Sequence, residues 1–318
     1  MNVVSAASGP SVKKRTRLLQ AFSRDLKVNK YLYLLILPVV AYYLLFCYAP
    51  MYGIVIAFKD FSPMKGIMGS SWVGFRYFEQ FFSSIYAFRT ITNTLLLSLY
   101  SLLWGFPAPI LLALLLNEIK NMAFKKTVQT VTYLPHFISL IVVCGLIVDF
   151  TQQQGLINNL ISFLGGQRIP FLQKPEWFRT IYISTGIWQS VGWNSIIYLA
   201  ALAGVDQQLY EAASIDGAGR LKQIFHITLP GIAPTIIILL IMDIGHLMSV
   251  GYEKVILMYN PLTYSTADII SSFVYRMGLQ QFNYGYATAV GLFNSVVNLL
   301  LLVVANTISR KVSETSLW

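Results

Sequence analysis

Asp243 and His246 stand three residues apart in an otherwise apolar run. That spacing puts a carboxylate and an imidazole on one face of a helix. Such a pair can serve as an acid/base couple, line a polar pathway, or satisfy itself and lock helix packing. A second group, Gln189, Ser190, Trp193 and Asn194, forms two i, i+4 pairs. Amides and hydroxyls can replace water around a sugar, and an aromatic face suits the apolar side of its ring. The three histidines, His136, His226 and His246, fall in three separate segments and make no metal cluster. Cys47 and Cys144 have no metal-ligand spacing and read as small buried hydrophobes. No GxxxxGK[ST] phosphate loop occurs, so any energy for work must come from another chain.

The elements that hold these residues are set by composition. Of the 318 residues, 56% are hydrophobic and only 11% are charged, and the mean hydropathy is +0.61. A soluble domain carries about 25% charged residues. This chain cannot supply a polar surface, so its solvent is lipid. The net charge of +10 is concentrated early: Lys13, Lys14, Arg15, Arg17, Arg24, Lys27 and Lys30 precede the first apolar run. That position indicates anchoring at an anionic membrane surface rather than nucleic-acid binding. Leu18, Leu19, Phe22 and Leu26 have helical spacing there, consistent with an amphipathic surface helix or a basic tail. The apolar run itself exceeds a signal-peptide core and is followed by no small-residue cleavage site, so it reads as a retained helix.

Six segments are long and apolar enough to cross a bilayer as helices. They cover 31–57, 90–116, 127–150, 180–203, 231–250 and 284–308. Six crossings place both termini on one side. Basic residues choose the side: the N-terminal cluster, Lys120, Lys125, Lys126, Arg220, Lys222, Arg310 and Lys311 would all be cytoplasmic. The expected organisation is a basic N-terminal segment over 1–30, one membrane domain over 31–308 and a cytoplasmic tail over 309–318. Outside the membrane, Trp72, Phe75, Tyr77, Phe78, Phe81 and Phe82 read as an interfacial belt or a docking surface. A segment from Thr266 to Leu279 has the spacing of an amphipathic helix, and Asn93, Asn294 and Asn298 read as interhelical glue. Arg168 and Lys174 are outer-loop cations that would favour uronic-acid oligomers only weakly. By rise per residue, Trp193 lies roughly 16 Å before Gly204 and Asp243 roughly 20 Å after Pro230, near mid-membrane depth.

The loop over 205–230 carries the clearest signal. Gly204 can end the incoming helix, and Asp206 is a good N-cap for a short one bearing Glu211, Ala212 and Ala213. Asp216, Gly217 and Gly219 are turn formers, and Gly217 takes positive φ cheaply. Leu221, Ile224, Phe225 and Thr228 then share one helical face, and Pro230 marks a turn into the fifth crossing. The expected shape is a helix-turn-helix projecting from the membrane. Its two alanines let another surface approach, and Glu211 offers a charge to it.

Glu211-Ala212-Ala213, three residues, Gly217, nine residues and Ile227-Thr228-Leu229-Pro230 resemble the EAA loop of binding-protein-dependent ABC importers. Asp216 and Ala218 fit the sugar-importing branch. Tyr133-Leu134-Pro135-His136-Phe137-Ile138-Ser139, Gly155-Leu156-Ile157-Asn158 and the run from Tyr284 to Trp318 resemble permeases for complex oligosaccharides. The resemblance implies an all-α integral membrane protein with the six-helix type I importer fold in the bacterial cytoplasmic membrane. It implies ATPase coupling through Glu211, Ala212, Ala213, Asp216, Gly217, Ile227, Leu229 and Pro230. It also implies a second homologous permease, two cytoplasmic ATPase subunits that bind ATP and magnesium, and an external solute-binding protein. No cofactor is expected on this chain. The substrate pathway is expected at Gln189, Ser190, Trp193, Asn194, Asp243 and His246, on the helices flanking the loop. Other readings are a permease of the same family for a non-sugar solute, an intramembrane enzyme using Asp243 and His246, and a sensory membrane protein.

Overall fold

The computed structural model describes residue 25 and residues 28–312. The amphipathic stretch around Leu18 and the final Leu317-Trp318 lie outside the described residues. The chain separates into two compact units, residues 1–55 and 56–318. In the first, the helix starting at Lys30 contains Pro38 and steps into a π turn over Tyr43–Tyr48, just ahead of Pro50. Asp25 accepts hydrogen bonds from Asn29 and Tyr33, each at 2.6 Å.

The second unit opens with a two-stranded antiparallel ribbon, β1 (Lys59–Asp60) and β2 (Ser71–Trp72). Besides a one-turn helix over Gly66–Gly69, its helices are α1 (Arg76–Phe82), α2 (Ile85–Glu118), α3 (Met122–Tyr133), α4 (Leu140–Thr151), α5 (Leu156–Phe163), α6 (Pro175–Ala203), α7 (Gln207–Ile215), α8 (Arg220–Gly245), α9 (Tyr252–Met258), α10 (Tyr264–Ala267), α11 (Ile270–Tyr275) and α12 (Tyr284–Val312). Five stretches are both long and apolar enough to cross a membrane: 30–58, 85–118, 140–163, 220–245 and 284–311. The fourth expected crossing, 180–203, lies inside α6, an unbroken helix of 29 residues. Its length suffices at about 1.5 Å per residue, but Arg179, Gln189, Ser190 and Asn194 make it more polar than the other five.

The third expected crossing, 127–150, is not one helix. It breaks between α3 and α4, where Ile138 and Ser139 are extended. Pro135 sits in the 3-10 turn before the break. A proline ring disfavours helix just before it and removes a donor, so the chain re-starts its helix after the turn.

Prolines elsewhere are absorbed differently. Within α2 a π turn over Ser101–Gly105 precedes Pro107 and Pro109. Within α8 a π turn over Ile224–Thr228 precedes Pro230. A π turn shifts bonding to i→i+5, so the helix tolerates the donor that proline lacks and continues. The expected turn at Pro230 is therefore not made: the second helix of the loop runs on into the fifth crossing as one element, α8.

Three buried clusters hold the second unit together. One gathers Phe81, Met248, Phe273, Tyr286 and Val290. Another gathers Leu97, Phe178, Tyr182, Val255 and Ile269. The third gathers Ala113, Tyr198, Leu202, Val205 and Ile232. Large apolar side chains such as Leu103, Trp104, Leu111, Leu115, Leu299 and Val303 remain exposed, as expected where lipid or another membrane chain is the neighbour. Helix α6 also packs backbone against backbone: a Cβ on Gly192 would clash with the Thr132 carbonyl of α3.

Polar residues tie the helices where the clusters leave gaps. Asp268, fully buried, receives Arg89 at 3.0 Å and Arg276 at 2.7 Å. Asn93 donates to the carbonyls of Ser265 and Asp268 and accepts from Arg179 at 2.8 Å. Asn294 donates to the Met248 carbonyl, while Asn298 accepts from Met248 N–H and donates to Ser249. All three asparagines thus bridge elements, as their positions in apolar runs suggested. The segment 266–279 is helical in two pieces, α10 ending at Ala267 and α11 starting at Ile270, with Ile269, Ile270 and Phe273 buried.

Candidate functional site

A cavity of ≈ 380 Å³ lies among α2, α6, α8 and the segment leading into α9. The π turn of α2 contributes Ser101, Leu102 and Gly105, beside Ser98. Helix α6 contributes Gln189, Ser190 and Asn194 one turn apart, so one face carries amide and hydroxyl groups. From α8 come Asp243 and, at its C-terminal cap, His246.

Five of the six residues expected on the pathway therefore meet in one place. Trp193 is the exception and does not line this cavity. Its ring stacks on His136 at 4.5 Å with 1° between planes and meets Phe137 edge-on at 5.4 Å. It thus braces α6 against the break after α3. Gln189 also reaches that break, donating to the Ile138 carbonyl at 3.3 Å. Ser190 donates to the Gly186 carbonyl one turn back. The expected alternative for Asp243 and His246, a self-satisfied pair, is not what forms. No hydrogen bond or ion pair joins them among the described residues, and His246 Nδ1 meets the Met242 carbonyl at 2.8 Å.

The cavity also holds a residue that the sequence reading passed over. Lys254, on α9, is only 7% exposed and lines the same space. Its Nζ donates to the Tyr182 carbonyl at 2.6 Å and sits 4.5 Å from the centre of the Tyr182 ring. Burial pulls its pKa down to about 8, which leaves the ammonium the main form at neutral pH. A signal was present: Lys254 is a lone cation between two apolar stretches, Leu247–Val250 and Val255–Met258. A second cavity of ≈ 640 Å³ lies beside α4 and α9, with Gln152, Gln153, Gln154, Gln173 and Asn260 on its walls. The Gln152–Gln154 run was its sequence signature.

The projecting loop has a different construction. Asp206 caps α7 by accepting from Gln208 N–H at 2.9 Å, and Gly217 takes φ +73 in the turn. Gln223 of α8 donates to Ser214 and to the Ala218 carbonyl, closing the two helices on each other. Tyr210 and Thr228 hydroxyls meet at 2.9 Å. The face expected to be uniformly apolar divides: Thr228 is buried against α7, while Leu221 and Phe225 are 71% and 62% exposed. Glu211, Ala212, Asp216, Gly217 and Pro230 are exposed, and Ala213, Ile227 and Leu229 are half-buried. Ile227 packs on the Tyr198–Val205–Ile232 cluster, so the loop is rooted in the helix bundle. Arg220 reaches Glu118 of α2 at 3.7 Å.

Comparison with known proteins identifies the family of the chain. Residues 81–314 match the family model described as binding-protein-dependent transport system inner membrane component. The protein LplB of Bacillus subtilis is 49% identical over 92% of this chain and 92% of its own length. The polygalacturonan/rhamnogalacturonan transport system permease protein YteP of the same organism is 49% identical over 96% and 94%. A crystal structure of a bacterial ABC transporter involved in import of the acidic polysaccharide alginate superposes with a TM-score of 0.87. It is 47% identical and covers 92% of this chain and 99% of that one. The same transporter type in complex with an alginate pentasaccharide-bound periplasmic protein gives a TM-score of 0.86. Relatives of this kind are transport components, which removes the acid/base enzyme reading of Asp243 and His246. The chain belongs to the binding-protein-dependent transport system inner membrane component family and is a multi-pass permease subunit of an ABC importer, not an enzyme.

Proposed function

We propose that this permease carries an oligosaccharide inward through the cavity bounded by Ser98, Gln189, Asn194, Asp243 and His246. The observation that carries this reading is the convergence of hydroxyl, amide and carboxylate groups from three helices on one space inside an otherwise apolar bundle. Sugars need that kind of lining, because each hydroxyl taken from water must find a partner. The names of the similar proteins, which mention polygalacturonan, rhamnogalacturonan and alginate, support a carbohydrate over a non-sugar solute.

The working assembly pairs this chain with a second homologous permease. An external solute-binding protein delivers the sugar, and two cytoplasmic ATPase subunits hold ATP and magnesium. Both termini and the Glu211–Pro230 loop face the cytoplasm, following the basic residues. An ATPase surface seats on Leu221, Phe225 and the Ala212–Ala213 side of α7, with Glu211 at the rim. ATP-driven closure moves the loop, and alternating access follows.

Reconstitution of the complete importer in liposomes tests this reading. ATP-dependent accumulation of an oligosaccharide is expected, together with loss of ATPase association on Glu211→Ala plus Gly217→Pro. Accumulation that continues without the ATPases, or an importer that moves no carbohydrate, would overturn it.

A further inference from the structure

Among the described residues, the cations of the outer loop, of the Asp268 network and of the cavity sit in three different settings. Arg168 and Lys174 are exposed in the 164–174 loop, and Arg168 is occupied by Gln153 and Asn159. Solvent screens charges placed there. Arg89 and Arg276 share the single carboxylate of buried Asp268. Lys254 is the third kind. It is buried, it faces a cavity, and no carboxylate of the described residues lies within ion-pair distance.

A buried ammonium is costly unless hydrogen bonds or a counter-ion compensate it. The Tyr182 carbonyl and ring compensate part of the charge. An ammonium has three donors, and the carbonyl takes one. Space for a further partner is built in at Gly186, one helical turn from Tyr182. A Cβ there would stand 3.3 Å from Nζ, so the missing side chain keeps the approach to the ammonium clear. In the same cavity, Gln189, Ser190 and Ser249 offer neutral hydrogen-bonding groups.

We propose that Lys254 is the carboxylate subsite of this cavity and that the oligosaccharide carried is acidic, with uronate units. The inference deepens the carbohydrate reading above and rests on it. Asp243 borders the same cavity from α8 and disfavours a carboxylate on its own side. The two charges together therefore orient the sugar, acid group toward α9 and hydroxyls toward α8. A charge-assisted contact to a buried ammonium is the kind that discriminates between an acid and its neutral ester.

The test uses the whole importer, both permeases with their ATPases, in nanodiscs without the solute-binding protein. Calorimetry compares trigalacturonate with its methyl ester, which differs only in charge and a methyl cap. Wild type should bind the acid at least about tenfold more tightly than the ester. Lys254→Met should abolish that preference while leaving the ester's affinity within about twofold, and Lys254→Arg should restore most of it. Equal binding of acid and ester by wild type, a preference that survives Lys254→Met, or no binding of either form would overturn the proposal. The wild-type comparison needs no variant, so a folding defect cannot hide the answer. ATP-driven uptake of a neutral oligosaccharide alone would reject the acidic substrate and leave the carbohydrate reading standing. Uptake of no sugar at all would reject that reading itself.

Discussion

The loop over 206–230 and the cavity between α2, α6 and α8 are built on opposite principles. The loop is contiguous in sequence, exposed, and held by short-range contacts: Asp206 to Gln208, Tyr210 to Thr228, Gln223 to Ser214. The cavity is assembled from residues as far apart as Ser98 and Lys254, and its groups are held by helix packing. In the role proposed for it, the loop seats another protein, which needs a fixed local shape with apolar side chains outward. A pathway needs polar groups inside a bundle whose outside faces lipid, and only tertiary packing supplies that. The difference predicts that the two regions fail separately under mutation, and that only residues serving the whole bundle make both fail together.

Asp268→Asn should give the largest effect. It leaves Arg89 and Arg276 with a neutral amide in a buried site, and breaking one side of a buried ion pair costs about 3–5 kcal/mol. Thermal unfolding in nanodiscs should shift down by many degrees, with uptake and ATPase assembly lost together. A wild-type melting curve for this variant would show that the network adds little. Next comes Phe225→Ala, which removes an exposed ring from the proposed seat. Losing burial of such a side chain is worth about 1.5–3 kcal/mol, so ATPase association should weaken about ten- to hundredfold, read by co-purification titrations, with an unchanged melting curve. Unchanged association would place the seat elsewhere on the loop. Asn194→Ala should act on the other region alone: one hydrogen bond of about 1–1.5 kcal/mol lost lowers uptake up to about tenfold while ATPase assembly stays normal. A drop in assembly would break the separation. Glu118→Gln should matter least, because its partner Arg220 is 67% exposed and such pairs contribute about 0.5 kcal/mol or less. A measurable change in ATPase stimulation would mean that the contact between α2 and the loop transmits motion.

The same contrast explains what could be read from the sequence. The Asp206 cap, the turn at Gly217 and the two short helices follow from residue types a few positions apart, so the loop was legible in shape. The turn expected at Pro230 came from treating proline as a stop; the π turn before it lets the helix continue. Crossings set by apolar length were also legible, except at 127–150, where Pro135 breaks the run, and at 180–203, whose helix forms but is not among the apolar spans. In the cavity, polar residues inside apolar helices could be flagged one helix at a time. Trp193 was misplaced because its neighbour, His136, lies far off in sequence. Lys254 was passed over because nothing local says that Tyr182 and Gly186 will surround it.

The π turn over Ile224–Thr228 has a consequence for timing between the two regions. It inserts extra backbone between the loop end of α8 and the stretch that carries Asp243 and His246. Each residue in a helix advances the azimuth by about 100°. Removing one residue from 224–228 would leave the loop able to fold and the cavity helix able to span, yet would turn their faces about a quarter-circle or more out of phase. In the proposed assembly the turn therefore works as a gear offset: it sets which side chains point into the cavity for a given seating of the loop.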